Sequence, residues 1–117
     1  MTLEYLRTYC LSKPGTSEDT PFDSDTLVFR VGGKIFLFTS IGAEPPVRIS
    51  IKNEAEKVAE LKDQYEGILP GYHLNKKFWI TVVLGVDVQM PLAKELIDES
   101  YAIVKASLPK KIQATLE

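Results

Sequence analysis

Two adjacent glycines between two runs of strand-forming residues constrain this chain more than any other feature. LVFRV (Leu27 to Val31), Gly32-Gly33 and KIFLFTS (Lys34 to Ser40) read as a two-residue β-hairpin. The tight turns that join such strands need positive φ at their central residues, and glycine supplies it without a Cβ clash. In the simple register Phe29 faces Phe36 and Leu27 faces Phe38, with Val31 on the same side, which gives an expected core face. Val28, Arg30, Ile35 and Leu37 take the other face. An apolar strip of Val28, Ile35 and Leu37 there would suit a dimer or a partner segment. After the stiff Pro45-Pro46 a third strand, Val47 to Lys52, alternates cleanly. Val47, Ile49 and Ile51 point inward, and Arg48, Ser50 and Lys52 outward.

Helical patterns flank these strands. Leu3, Leu6 and Cys10 recur at helical spacing behind Thr2, a good cap, and Pro14-Gly15 ends the pattern. Residues 16–25, TSEDTPFDSD, are polar and acidic and read as a loop. Asn53 with Glu56 three residues on resembles a capping box and opens a helix to about Tyr65. A short extended piece at Ile68-Leu69 and a strand at Trp79 to Leu84 follow. The last helix starts near Pro91 and carries Ala93, Leu96, Ile97, Tyr101, Val104 and Leu108 on one stripe. Pro109 stops it, and the tail PKKIQATLE is left as a further turn or a mobile end. The order α-β-β-β-α-β-β-α predicts an α+β fold of two layers, an antiparallel sheet with helices on one face, in a single domain over residues 1–117.

Several function classes lose their support. No apolar run approaches the roughly 18 residues of a membrane helix, and MTLEYLRTYC lacks the basic and apolar regions of a signal peptide, so the expectation is a cytoplasmic protein with no membrane partner. One cysteine, Cys10, and one histidine, His73, exclude an internal disulfide and a Cys/His zinc site, so no metal is expected. VGGKIF is not GxGxxG, and neither a Walker A nor a GxSxG sequence occurs. Cys10, on an apolar stripe, reads as a small buried hydrophobe.

The formal net charge of −2 hides a partition. Residues 1–25, 26–52, 53–66, 67–86 and 87–117 carry −3, +3, −3, +2 and −1. The strand-bearing segments are basic, and the helices and first loop acidic. One reading is a basic sheet face or edge that meets phosphate, with Arg30, Arg48 and Lys52 as contacts. The other is that these side chains, with Lys34 at the turn, guard edge strands while acids favour helix N-termini.

PGYHLNKKFW (Pro70 to Trp79) concentrates the unusual side chains, among them the only His and the only Trp. Either Tyr72, Phe78 and Trp79 pin a packed turn in which His73 and Asn75 satisfy backbone groups, or the segment recognises a ligand. In the second case Asn75, Lys76 and Lys77 bind phosphate or carboxylate, and Tyr72 and His73 recognise the rest. His73 as a general base would need an oriented partner and a pocket that nothing in the sequence supplies.

Taken in order, Pro14-Gly15, Glu18, Pro21-Phe22, LVFRVGGKIF, PGYHLNK with Trp79 and Thr81-Val82, LIDESY (Leu96 to Tyr101) and SLPKK (Ser107 to Lys111) resemble the MmcQ/YjbR family over nearly the whole chain. The sequence departs from that pattern at Phe78 and Ile80, where the family often has His and Asn. The resemblance implies a secretion-chaperone-like two-layer α+β fold and a DNA-binding protein with a double-wing motif, without enzymatic activity or cofactor. The expectation is therefore a non-enzymatic DNA-binding protein that contacts phosphate through Arg30, Arg48, Lys52, Lys76 and Lys77, with Tyr72, His73 and Asn75 shaping the loop or touching sugar and base. The alternative is a protein- or small-ligand-binding module of chaperone-like fold that meets a partner or a second copy of itself.

Overall fold

In the computed structural model, which describes residues 1–71 and 74–116, the glycine pair turns the chain as its chemistry requires. Gly32 and Gly33 have φ of 55° and 88°, and Val31 pairs with Lys34 across them. A side chain at Gly32 would also strike Leu108, since a Cβ there would lie 2.6 Å from the Leu108 Cδ1. The elements in order are α1 (Leu3–Leu11), β1 (Thr16–Asp19), β2 (Thr26–Val31), β3 (Lys34–Ser40), β4 (Arg48–Lys52), α2 (Ala55–Gln64), β5 (Ile68–Pro70), β6 (Trp79–Val83), α3 (Met90–Ala106) and α4 (Lys110–Thr115). Six strands form one sheet in the order β1-β2-β3-β4-β6-β5, and every neighbouring pair is antiparallel. The α+β class and the expected element order hold, with β1 and the short α4 added.

The hairpin register departs from the simple one. Arg30 still pairs with Ile35, but Phe29 pairs with Leu37 and Val28 with Phe38, so a bulge lies between Phe29 and Arg30 on the ladder. A bulge sets two residues against one and shifts every later side chain to the opposite face. Phe36 and Leu37 are consequently both in the core with no exposed surface. Leu37, expected outside, pairs with Ile51, while Phe38, expected inside, pairs with Ser50 on the outer face. The apolar strip of Val28, Ile35 and Leu37 therefore does not exist as a partner surface. Leu37 belongs to the core, and Val28 is fully buried.

The β3–β4 ladder starts at Leu37 and Ile51. Beside it, the buried Ser100 of α3 donates from Oγ to the Phe36 carbonyl (2.6 Å) and accepts from the Lys52 amide (2.9 Å). One hydroxyl thus bridges two backbone groups at the bulge that the strands do not pair directly. Phe36 also meets Tyr101 of α3 edge-on, with ring centroids 5.5 Å apart.

Residues 16–19, read as loop, form β1 instead, pairing Thr16–Asp19 with Val31–Val28. No apolar pattern announces this strand. It is held by its ladder to β2 and by ion pairs on both sides, Glu18 with Arg7 of α1 and Asp19 with Arg30 of β2. The Arg7 guanidinium holds the Glu18 carboxyl below its ordinary value. Thr2 caps α1 as expected, its Oγ1 accepting from the Tyr5 amide at 3.1 Å. The expected capping box at Asn53 is absent. Asn53 is buried, donating from its side chain to Glu99 of α3 and accepting from the neighbouring Glu54 amide, and Glu54 holds the cap position without a side-chain bond. Its side chain serves the α2–α3 junction in place of the helix end.

The core lies between one face of the sheet and the helices. Leu6 and Cys10 of α1, Val58 and Leu61 of α2, and Ala93, Leu96, Ile97 and Val104 of α3 pack on Leu27, Phe29, Ile49, Ile51, Ile80 and Val82. No helix of the described residues is long and apolar enough to cross a membrane.

Candidate functional site on the open sheet face

Strand alternation fixes what the other face presents. β4 turns Ile49 and Ile51 to the core, leaving Arg48, Ser50 and Lys52 outward. Their cross-strand neighbours are Phe38 beside Ser50 on β3, then Val83, Thr81 and Trp79 beside Arg48, Ser50 and Lys52 on β6. Arg48 and Lys52 are four residues apart on one strand, about 13 Å. Neither forms an ion pair with an acid among the described residues.

The other sequence-designated residues divide. Arg30 is engaged within the fold: Nε donates to Asp19 at 2.8 Å and Nη1 to the Gly33 carbonyl at 2.9 Å. Asn75 builds a turn, its Oδ1 accepting from the Lys77 amide (3.0 Å) and its carbonyl from the amides of Phe78 (3.1 Å) and Trp79 (2.9 Å). Lys76 and Lys77 sit exposed on that turn, and the Lys77 Nζ lies 5.5 Å from the Phe78 ring centroid. The turn leads straight into Trp79, which pairs with Lys52. Arg48, Lys52, Lys76 and Lys77 are thus distributed along the β4–β6 side of the sheet, while Arg30 serves the β1–β2 edge. Tyr72 and His73 lie outside the described residues.

A cleft of about 550 Å³ opens on this face, lined by Phe22, Thr26, Phe38, Thr39, Ser40, Arg48, Ser50, Leu74 and Thr81. Sequence reasoning missed most of this set. Simple strand alternation puts Phe38 in the core, and Phe22 lies in the acidic loop, where an aromatic residue after Pro21 is the only signal. Phe22 is 65% exposed, yet its ring lies nearly parallel to that of Phe38, with centroids 6.2 Å apart and planes at 17°. Trp79 meets the same Phe38 ring edge-on at 5.5 Å and 73°.

Asp23 fixes the chain that carries Phe22. Its Oδ1 accepts from the amides of Asp25 (2.8 Å) and Thr26 (2.7 Å), and these bonds hold the carboxyl below its ordinary value. On the cleft floor the Ser50 and Thr81 hydroxyls are 3.0 Å apart. Among the described residues of the lining, Arg48 is the one charged side chain and none is acidic. A second groove of about 480 Å³ adjoins it along residues 42–48, with Glu44 and Arg48 on its walls.

Chemically, this face offers aromatic stacking surface, hydroxyl hydrogen bonds and cations. The described lining of the larger cleft contains no nucleophile–base pair, and no group of three or more His, Cys, Asp or Glu among the described residues is placed to hold a metal.

Known proteins give this geometry its context. The YjbR family model matches residues 11–103. The uncharacterised protein YbdF of Escherichia coli O157:H7 is 38% identical over 93 residues, 80% of this chain and 75% of that protein. The uncharacterised protein YjbR of Escherichia coli K12 is 29% identical over 111 residues, 95% of this chain and 93% of its own. Among solved structures, DR2400 of Deinococcus radiodurans, described as a DUF419 domain, superposes with a TM-score of 0.91 at 38% identity, covering 98% of this chain and 87% of that one. A Pseudomonas syringae protein matches with a TM-score of 0.75 at 28% identity, covering 89% of this chain and 99% of that one.

Proposed function

The chain belongs to the YjbR family, and from that premise we propose that it is a non-enzymatic nucleic-acid-binding protein whose open sheet face takes the phosphate backbone. The observation that carries this reading is the placement of Arg48 and Lys52 on one outward face of β4, without acidic partners among the described residues. Lys76 and Lys77 stand on the turn that feeds the adjoining strand. Cations already paired within the fold gain little by meeting phosphate, whereas unpaired ones release condensed counterions from the nucleic acid when they dock. The charge partition of the sequence supports the same view, because acids gather on the helices and on the β1 edge, where Arg7 and Arg30 engage Glu18 and Asp19. A cytoplasmic location suits this reading, since the free thiol Cys10 fits a reducing compartment.

Fluorescence anisotropy with labelled duplex and single-stranded DNA at low salt tests the proposal. Micromolar binding is expected, weakening with salt on a log–log slope of about −2 to −4 for up to four phosphate contacts. The doubles Arg48→Ala/Lys52→Ala and Lys76→Ala/Lys77→Ala should each flatten that slope by about 1–2. Absence of binding to either form at micromolar protein and low salt refutes it.

A further inference from the structure

The open-face cleft is more specific than a basic surface. Its two aromatic walls, Phe22 and Phe38, stand nearly parallel at 6.2 Å between centroids, towards the wide end of the roughly 4.5–7 Å over which aromatic rings interact. Phe22 projects largely into solvent, so a small outward swing of this one ring opens a slot between two flat apolar faces. The slot adjoins a guanidinium, Arg48, with no acidic partner among the described residues, and no carboxylate is among the described residues that line the cleft. Between the hydroxyls of Ser50 and Thr81 one proton is used in their mutual bond, which leaves the second proton and the spare lone pairs available to a ring edge. The volume, about 550 Å³, is that of an ordinary small-molecule site.

We infer that this cleft binds a flat nucleobase-type ring carrying a phosphate, the ring slotted between Phe22 and Phe38 and the phosphate on Arg48. The inference rests on the nucleic-acid reading above and sharpens it from backbone contact to capture of one unpaired base. Single strands and free mononucleotides present this chemistry, whereas a closed duplex keeps its ring faces stacked and out of reach. Base-on-aromatic stacking tolerates any sequence, because every base has a π-face.

Trp79 supplies the readout. It is the only tryptophan, and its ring touches Phe38 edge-on, so a base entering the slot alters its fluorescence. The intact protein is titrated at low salt with an oligo-dT strand, a blunt duplex, dTMP and inorganic phosphate. Intrinsic fluorescence is recorded with each, and anisotropy with labelled forms of the two DNAs. The strand is expected to bind more tightly than the duplex and to change Trp79 emission. Phe22→Ala, at an exposed position that folding tolerates, should weaken the strand roughly five- to a hundredfold, the range of stacking losses per base. Phe22→Tyr should retain the affinity.

If the strand binds without a change in Trp79 emission, binds no more tightly than the duplex, or is indifferent to Phe22→Ala, base capture is overturned while the backbone reading stands. If dTMP changes the emission but neither DNA binds, the slot stands with a free nucleotide as its ligand and the backbone reading falls. An equal response to inorganic phosphate overturns ring recognition. No response to any of the four overturns both.

Discussion

Replacing Ser100 with alanine removes one oxygen and should cost far more than an average surface change. The Ser100 hydroxyl is buried and makes two hydrogen bonds, donating to the Phe36 carbonyl and accepting from the Lys52 amide. Alanine leaves both backbone groups without a partner. An unsatisfied buried polar group costs about 1–3 kcal/mol. The full range applies to the carbonyl of fully buried Phe36, and the lower end to the amide of half-buried Lys52, which water can reach in part. Against that loss alanine gains about 0.5 kcal/mol in helix propensity. The balance is a destabilisation of about 1.5–3.5 kcal/mol, or a fall in Tm of roughly 6–14 °C for a domain of this size. Urea denaturation of both proteins, followed by far-UV circular dichroism, reads the difference from the midpoint at constant slope. A change below about 0.5 kcal/mol, the level of a neutral surface substitution, would refute the claim that this hydroxyl closes the gap at the bulge.

Two further outcomes follow from titrating groups. The Asp23 carboxyl is held below its ordinary value of 3.8 by the Asp25 and Thr26 amides, so the order it imposes on the loop carrying Phe22 is present above pH 3.8 and lost as pH falls through the lower folded value. Amide shifts of Asp25 and Thr26 in a pH series should move together with a midpoint below 3.8, and a midpoint at or above that value contradicts the turn. Burial pushes the Cys10 thiol from 9.0 up to about 12, so the fold favours its neutral form, and that contribution is complete below pH 9.0 and lost as pH climbs towards about 12. Thiol labelling with a chromogenic disulfide at neutral pH should therefore be far slower in native protein than in denaturant, and equal rates would remove Cys10 from the core.

Much of this fold is legible in its sequence because periodicity and burial agree there. The stripe Ala93, Leu96, Ile97, Val104 and the alternation of Ile49 and Ile51 with Arg48, Ser50 and Lys52 point the way they pack. Where legibility fails, a nonlocal partner decides. The bulge that brings both Phe36 and Leu37 inward is stabilised by Ser100, 64 residues on, and no local pattern announces it. The polar β1 is held by its ladder to β2, with Arg7 and Arg30 receiving its acids. The same distinction governs the candidate site. Arg48 and Lys52 follow from alternation, but the fate of Arg30 depends on a strand that sequence reasoning did not see, and the cleft depends on Phe38, whose face the bulge reverses.

The sheet edges narrow how the protein can meet anything else. At one end β1 has four residues, TSED, and two of them are acids tied to neighbouring arginines. At the other, β5 has three residues and closes on Pro70, which has no amide hydrogen to offer. Among the described residues neither rim provides the long row of free donors and acceptors on which an extended peptide could add itself as a seventh strand. Recognition by strand addition, the simplest way for a sheet to recruit a protein tail or a second copy of itself, finds little purchase on rims this short. A partner therefore gains more by arriving broadside, on the open face that carries Arg48 and Lys52.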